Sequence, residues 1–554
     1  MPGLELPSFT QAQQLAQQMA ESPLLTGQLA AELLPFCPTK LCTTTFAHFA
    51  SLSQLDRRSG HERHVREYVA QLAFPHYNDG SLGLIPVRQM KIDKVGNAIL
   101  YADGRGSGVG ADPSVLQVHM DIVDMRYEGF DAGCKRTLAV ESREIERGRR
   151  ERVLYAQEGS LGADNNLSLS AILAVLQTPG IDHPPLEIVF TSDEEGDMQG
   201  IKGLDYGLLR TVSDPDVQRR YWINLDMEEE GIFISAAGGR DLKITLPVSR
   251  DERSENEVPV NISLTGLKGG HSGLDVDKGH GNAQKILFEA LGDGVDIEGI
   301  RFASLQGGLG RSSIPTDATL VVWCHKGKAT DFCAQVKRAL SRQTRQLEGD
   351  DISVQVEIVE DSKKPVFPPV MDSGFLRKLQ NLVSSMADGV IERASEIPAF
   401  LPDGVEDFVA TSNTWSLSST TNDAVNLLTM TRSNRPGGIE SVQEPILTEL
   451  RNSEFRFEFG KTYPLSPPRE SSSLLEIAQR AHGKLHSGQP ARVKGAHCGL
   501  EFAFPRAAYP ELEIDSRGPT ILGAHGLREC VVLRSVPPFL NGLVGLLGEL
   551  CQRT

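Results

Sequence analysis

Three short apolar runs in this chain each end in residues that seek metal ions. VLQVHMDIV (115–123) carries His119 and Asp121, PLEIVFTSDEEG (185–196) ends in Glu194 and Glu195, and YWINLD (221–226) ends in Asp226. Runs that are apolar at nearly every position fit strands buried on both faces, as in a parallel sheet covered by helices. Between the first two lies NNLSLSAILAVLQ (165–177), which reads as a helix. Strand, helix, strand order predicts an α/β domain with much parallel pairing. Open sheets of this kind build their sites at the carboxyl ends of the strands, where these side chains fall. LGADNN adds Asp164 just before the helix, and GAHG places His525 far downstream.

Taken singly, each element has an ordinary explanation. Asp164 could cap a helix, Glu194–Glu195 could be a solvated loop, and Asp226 heads an acidic run through Glu230. Together they say more. Several carboxylates brought to one sheet end repel unless cations sit among them. Two histidines and three carboxylates suit a pair of Zn²⁺ or similar ions, one carboxylate bridging.

The 554 residues exceed what one core holds, so at least two domains are expected. The first forty read as a helical or loosely ordered lead-in, and a helix is predicted around His61–Ala73. After residue 240 the pattern shifts to half-exposed strands such as VPVNISLTGL (258–267), ATLVVWC (318–324) and ISVQVEIV (352–359). Helices at 281–292 and 329–347 interleave with them. This predicts an inserted α+β domain. The expected division is a lead-in over 1–40, a first catalytic segment over 41–240, a lid or dimerisation domain over 241–462 and a second catalytic segment over 463–554. KTYPLSPPRE (461–470) is the hinge candidate.

A formal net charge of −17 argues against nucleic-acid and anionic-membrane partners. Eight cysteines are scattered without a CxxC pair, which suits reduced thiols and argues against a cysteine-built zinc site. No signal peptide or bilayer-spanning run is read. The expectation is a soluble cytoplasmic protein.

The ordered set VHMD, LGADNN, DEEG, INLD, GLKGGHSG, GPTILGAHG resembles the zinc aminoacylase and carboxypeptidase-like peptidases. Within them it is most similar to the aminoacyl-histidine (Xaa-His, or cytosol non-specific) dipeptidases. That resemblance implies a di-metal dipeptidase, Zn²⁺ first and Mn²⁺ or Co²⁺ as alternatives. His119, Asp164 and Asp226 would hold one ion; Asp164, Glu195 and His525 the other. Asp121 would accept a hydrogen bond from His119, and Glu194 would be the general base for a water bridging the ions. His271 in GGHSG would donate to the oxyanion, and Arg432 in MTRS would grip the substrate carboxylate. Glu501, with His497 in AHCGLE, is a candidate for the substrate amino group. The partner implied is a small peptide, and a homodimer in which His271 serves the neighbouring subunit stays open.

The chain also departs from the pattern. Asn166 follows GADN where glycine is usual, and Ser312 stands in GGLGRSSIP (307–315) where asparagine is expected. The charge-rich stretch near 126–155 reads as an inserted loop, and the first ninety residues match poorly. An N-acyl amino acid deacylase or a carboxypeptidase would use the same metals. A scaffold protein that had lost turnover should lack the base or a ligand, and all are present.

Overall fold

The computed structural model describes residues 27–552 except 75–84, 134, 147, 253, 348–350 and 360–366. Most of the expected lead-in, residues 1–26, lies outside the described residues. The chain divides into two compact units. One comprises 1–234, 471–494 and 500–554, the other 235–470 and 495–499.

The first unit is built on an eight-stranded mixed sheet. Its order is Gln89–Ile92, Ala98–Ala102, Leu186–Thr191, Ser114–His119, Tyr221–Asn224, Glu513–Ser516, Ile232–Ala236 and Val493–Ala496. The three apolar runs are its middle strands. Ser114–His119 pairs in parallel with both Leu186–Thr191 and Tyr221–Asn224, and every residue of the three is buried. Glu513–Ser516 continues the parallel pairing on one side and antiparallel strands lie beyond, so the sheet is parallel at the centre and mixed overall. The register sets His119 beside Thr191 and Gln117 beside Asn224. All three strands therefore end at one level, and the residues just past their ends face one place.

Helix Ala163–Gln177 is buried along nearly its whole length. Asn166, the departure from the expected glycine, donates to the Phe49 carbonyl and Ser53 hydroxyl, tying this helix to Lys40–Leu52. The predicted helix near 61–73 runs Arg63–Ala73, with Val65, Val69 and Leu72 buried. The expected loop near 126–155 is a hairpin instead. Leu138–Glu146 pairs with Arg149–Ala156, and the latter pairs with Cys530–Val532 in a four-stranded sheet.

The second unit carries a nine-stranded antiparallel sheet, whose central order includes Glu257–Thr265, Ala318–His325, Arg301–Gly307, Val409–Thr420, Ala424–Ser433 and Gly238–Pro247. Helices Ala283–Gly292, Lys326–Gln343 and Phe375–Ser385 pack their apolar faces onto it. Among the described residues no helix is long and apolar enough to cross a membrane.

Candidate metal centre

His119 is the last residue of its strand and is buried. Its Nδ1 lies 3.1 Å from the main-chain carbonyl of Asp121, which makes Nδ1 the protonated nitrogen and leaves Nε2 able to ligate a metal. Nε2 is 3.0 Å from Asp164 Oδ1 and 3.3 Å from Asp226 Oδ1. The expected contact from the ring to the Asp121 carboxylate is longer, at 3.6 Å. That carboxylate instead accepts from Ser59 Oγ at 2.6 Å and from the backbone N–H groups of Glu194 and Glu195 at 3.0 and 3.1 Å. Asp121 thus orients the two glutamates through their main chain, and the ring through its own carbonyl.

Asp164 does not cap the helix. Its backbone is non-helical, and the N-cap position falls to Gly162 in the left-handed region. The Asp164 carboxylate faces both histidines, with Oδ2 3.1 Å from His525 Nε2. His525 Nε2 is also 2.9 Å from Glu195 Oε2. The turn that delivers Glu194 and Glu195 passes through Asp193 at φ 53°, and Glu62 accepts the Asp193 N–H at 3.1 Å. Asp226 sits two residues beyond its strand and accepts from Asn165 Nδ2.

Among the described residues three groups result in which atoms able to ligate a metal lie within 4.8 Å of one another: His119–Asp164–Asp226, Asp164–Glu195–His525 and His119–Glu194–Glu195. The first two share Asp164. Electrostatics mark the place as short of positive charge. Burial disfavours a charged His525, yet Asp164 and Glu195 outweigh it and raise its pKa to about 12. His119 is likewise raised well above an ordinary histidine: burial works against this, and Asp226, Asp121 and Asp164 overcome it. Burial lifts Glu195 to about 7, with Asp164 adding to the shift, and burial also lifts Glu194 well above the carboxylate range. Glu195 Oε1 is buried with no hydrogen-bond partner among the described residues. Imidazole and carboxylate donors at this spacing, with an unsatisfied carboxylate oxygen among them, fit two divalent cations.

Of the other expected residues, Glu501 borders the cluster in the first unit, while His271, Arg432 and His497 belong to the second. Glu501 is fully buried in the first unit, where Gln117 Nε2 and Thr191 Oγ1 both donate to its Oε2. Burial raises it to about 8, and Oε1 has no partner among the described residues. In the second unit His271 Nδ1 accepts the backbone N–H groups of Gly273 and Leu274 at 3.3 and 3.1 Å, so the neutral ring carries its proton on Nε2. Arg432 is buried and donates to Tyr463 Oη, and its Nη2 lies 3.4 Å from His271 Nε2. His497 has both nitrogens engaged, with Asn434 Oδ1 at 3.1 Å and Ser412 Oγ at 2.7 Å, and burial lowers its pKa to about 3.

Sequence reasoning passed over Arg57, Ser59, Glu62, Asn165 and Glu529. The first three sit in RRSGHE, a loop with no periodicity to betray it. A carboxylate four residues after His525 was the available signal for Glu529.

Fold and cluster together define a two-unit scaffold with metal-seeking side chains gathered at the carboxyl end of its parallel strands. The structure matches the crystal structure of an aminoacylhistidine dipeptidase from Vibrio alginolyticus with a TM-score of 0.70 and 24% identity, covering 91% of this chain and 96% of that one. Among curated proteins, the cytosol non-specific dipeptidase of Escherichia coli (strain K12) is 26% identical over 505 residues, 91% of this chain and 96% of the relative. The resemblance drawn from the motifs therefore extends over nearly the whole chain. No protein-family model matches.

Proposed function

We propose that this chain is a di-metal dipeptidase that hydrolyses the amide bond of dipeptides in the cytosol. The observation that carries the reading is Asp164, one carboxylate whose two oxygens stand 3.0 and 3.1 Å from the Nε2 atoms of His119 and His525. His119, Asp164 and Asp226 would hold one ion, and Asp164, Glu195 and His525 the other. When bound, two such ions lower the pKa of water and polarise a carbonyl, with Zn²⁺ the first choice and Mn²⁺ or Co²⁺ alternatives.

The chain's own groups do the rest. Glu194 is the carboxylate of the cluster with no hydrogen-bond donor to its side chain among the described residues, which suits it to take a proton from the attacking water. It then passes that proton to the leaving amine. His271, with its proton on Nε2, is assigned to the oxyanion. Arg432 is assigned to the substrate carboxylate, a planar task matched by guanidinium. Glu501 Oε1 is assigned to the substrate amino group.

The test is metal analysis coupled to a dipeptide panel that includes a Xaa-His member and its N-acetylated form. Wild type should bind two ions per chain and cleave the free dipeptide. Glu194→Ala should keep both ions and lose turnover by about 10²-fold or more. A wild type without bound divalent ions, or with a preference for the N-acetylated form, would overturn the reading.

A further inference from the structure

The turn that presents Asp164 is held from two sides by residues distant in sequence. Glu529 is buried, and its Oε2 accepts the Gly162 N–H at 2.7 Å. Its Oε1 accepts the Ala163 N–H at 2.7 Å and is 3.4 Å from the Asp164 N–H. Three successive amides thus converge on one carboxylate. On the other side Arg57, also buried, donates Nη2 to the Gly162 carbonyl at 3.2 Å. Arg57 is itself fixed, because its own carbonyl accepts the Ile122 N–H at 3.1 Å.

Ile122 closes the arrangement. Gly162 has φ +68°, and a Cβ there would come within 2.9 Å of Ile122 Cδ1. The turn is pinned at a glycine, against a side chain, by a guanidinium and a carboxylate. Surface capping does not demand this: a carboxylate and a guanidinium are costly to bury. Among the described residues Arg57 Nε and Nη1 find no hydrogen-bond partner, so the contact with Gly162 is held at a cost. Glu529 spends both oxygens on the amides leading into Asp164.

We infer that Glu529 and Arg57 are positioning residues that fix the main chain of Gly162–Asp164, so that the two oxygens of Asp164 face His119 and His525. The inference rests on the reading of Asp164 as a ligand shared by two cations. Glu529→Gln conserves volume but replaces one acceptor with an NH₂ group that meets an amide N–H. Such partners behind a metal ligand are worth about 10- to 100-fold in metal affinity.

The experiment measures divalent-ion affinity by chelator competition in wild type, Glu529→Gln, Arg57→Lys and Arg57→Met. It also records kcat and KM for a dipeptide, and the thermal midpoint of the metal-free protein. Glu529→Gln and Arg57→Met should lose about 10- to 100-fold in affinity, with kcat reduced and KM nearly unchanged. Arg57→Lys, which retains a donor and the charge, should recover part of the loss. A lower thermal midpoint with wild-type affinity and kcat would show a merely structural role and overturn the inference. Amide exchange on the wild type supplies a check that needs no variant to fold: the Gly162, Ala163 and Asp164 amides should be strongly protected. Solvent-like exchange there would equally overturn it. Should wild type bind no divalent ion, the metal-site reading fails first; should it bind two and Glu529→Gln match it, only the clamp fails.

Discussion

Asp121 shows how one buried carboxylate can govern several others. It accepts from Ser59 and from the amides of Glu194 and Glu195, so Asp121→Asn must turn a donor toward one of these three. The expected result is a fall in kcat of about tenfold or more with the fold retained, read from steady-state kinetics beside circular dichroism. Of the candidate ligands, His119, Glu195 and Asp226 were legible in the sequence because strand ends announce such side chains, whereas Asp164 and His525 stood out only by their motifs. Ser59 and Glu62 were not, since a loop residue that acts through a hydrogen bond leaves no periodic mark. A second residue-scale effect lies away from the cluster. His48 is buried between Tyr68 Oη and Gln177 Oε1, each 2.8 Å from a ring nitrogen. Burial lowers its pKa from 6.5 to about 4. A depressed folded value means the unfolded chain takes the proton first as pH falls. The stability from neutral His48 is therefore complete above pH 6.5 and drains away down to about pH 4. Between pH 7 and pH 5, His48→Gln should lose less thermal stability than wild type. An equal or steeper loss would refute the assignment.

At the scale of elements, the hairpin Leu138–Glu146 with Arg149–Ala156 explains a stretch whose charge pointed to a loop. Arg143 lies opposite Glu151, Glu144 opposite Arg150 and Glu146 opposite Arg149. Opposite charges facing across strands are what an exposed hairpin face can use, so the density of charge was the signature of pairing. The strand signal was weak because the apolar positions cluster at the far end of each strand. Val153 there is fully buried against Cys530 and Val532. The hairpin also reaches the loop that carries His525: Arg143 Nη1 donates to the Arg528 carbonyl at 2.6 Å. Val153→Ala should cost about 2 kcal/mol through the cavity it leaves, measured by denaturant unfolding of the first unit. Because the paired strand Cys530–Val532 follows Glu529 directly, metal affinity should fall as well. Unchanged affinity with lowered stability would detach the hairpin from the site.

For the whole molecule, the two units differ in what they ask of a ligand. The central parallel strands of the first unit were legible from their unbroken apolar runs, and the second unit's sheet from its alternating ones. The passage between units was legible only in part: the long stretch of the second unit ends at Glu470, the last residue of KTYPLSPPRE, whereas Ser235 and Gly495 begin parts of that unit inside strands, where no turn signal marks them. Among the described residues, every group able to hold a metal ion lies in the first unit. The second unit has a core of its own, from Leu242 on one strand to Leu450 on a helix. A ligand that binds only the folded state stabilises it by about 2.7 kcal/mol at a hundredfold excess over its Kd. Removing divalent ions with a chelator should therefore lower the calorimetric transition of the first unit by several degrees, because its carboxylates are then left to repel one another. The second unit's transition should stay within about a degree of its starting point, since no ligand of its own has been withdrawn. Readding Zn²⁺ should restore the first and leave the second unmoved. If the second transition moved alone, or if neither responded, the cation pair would not belong to the sheet end where His119, Asp164, Glu195, Asp226 and His525 meet.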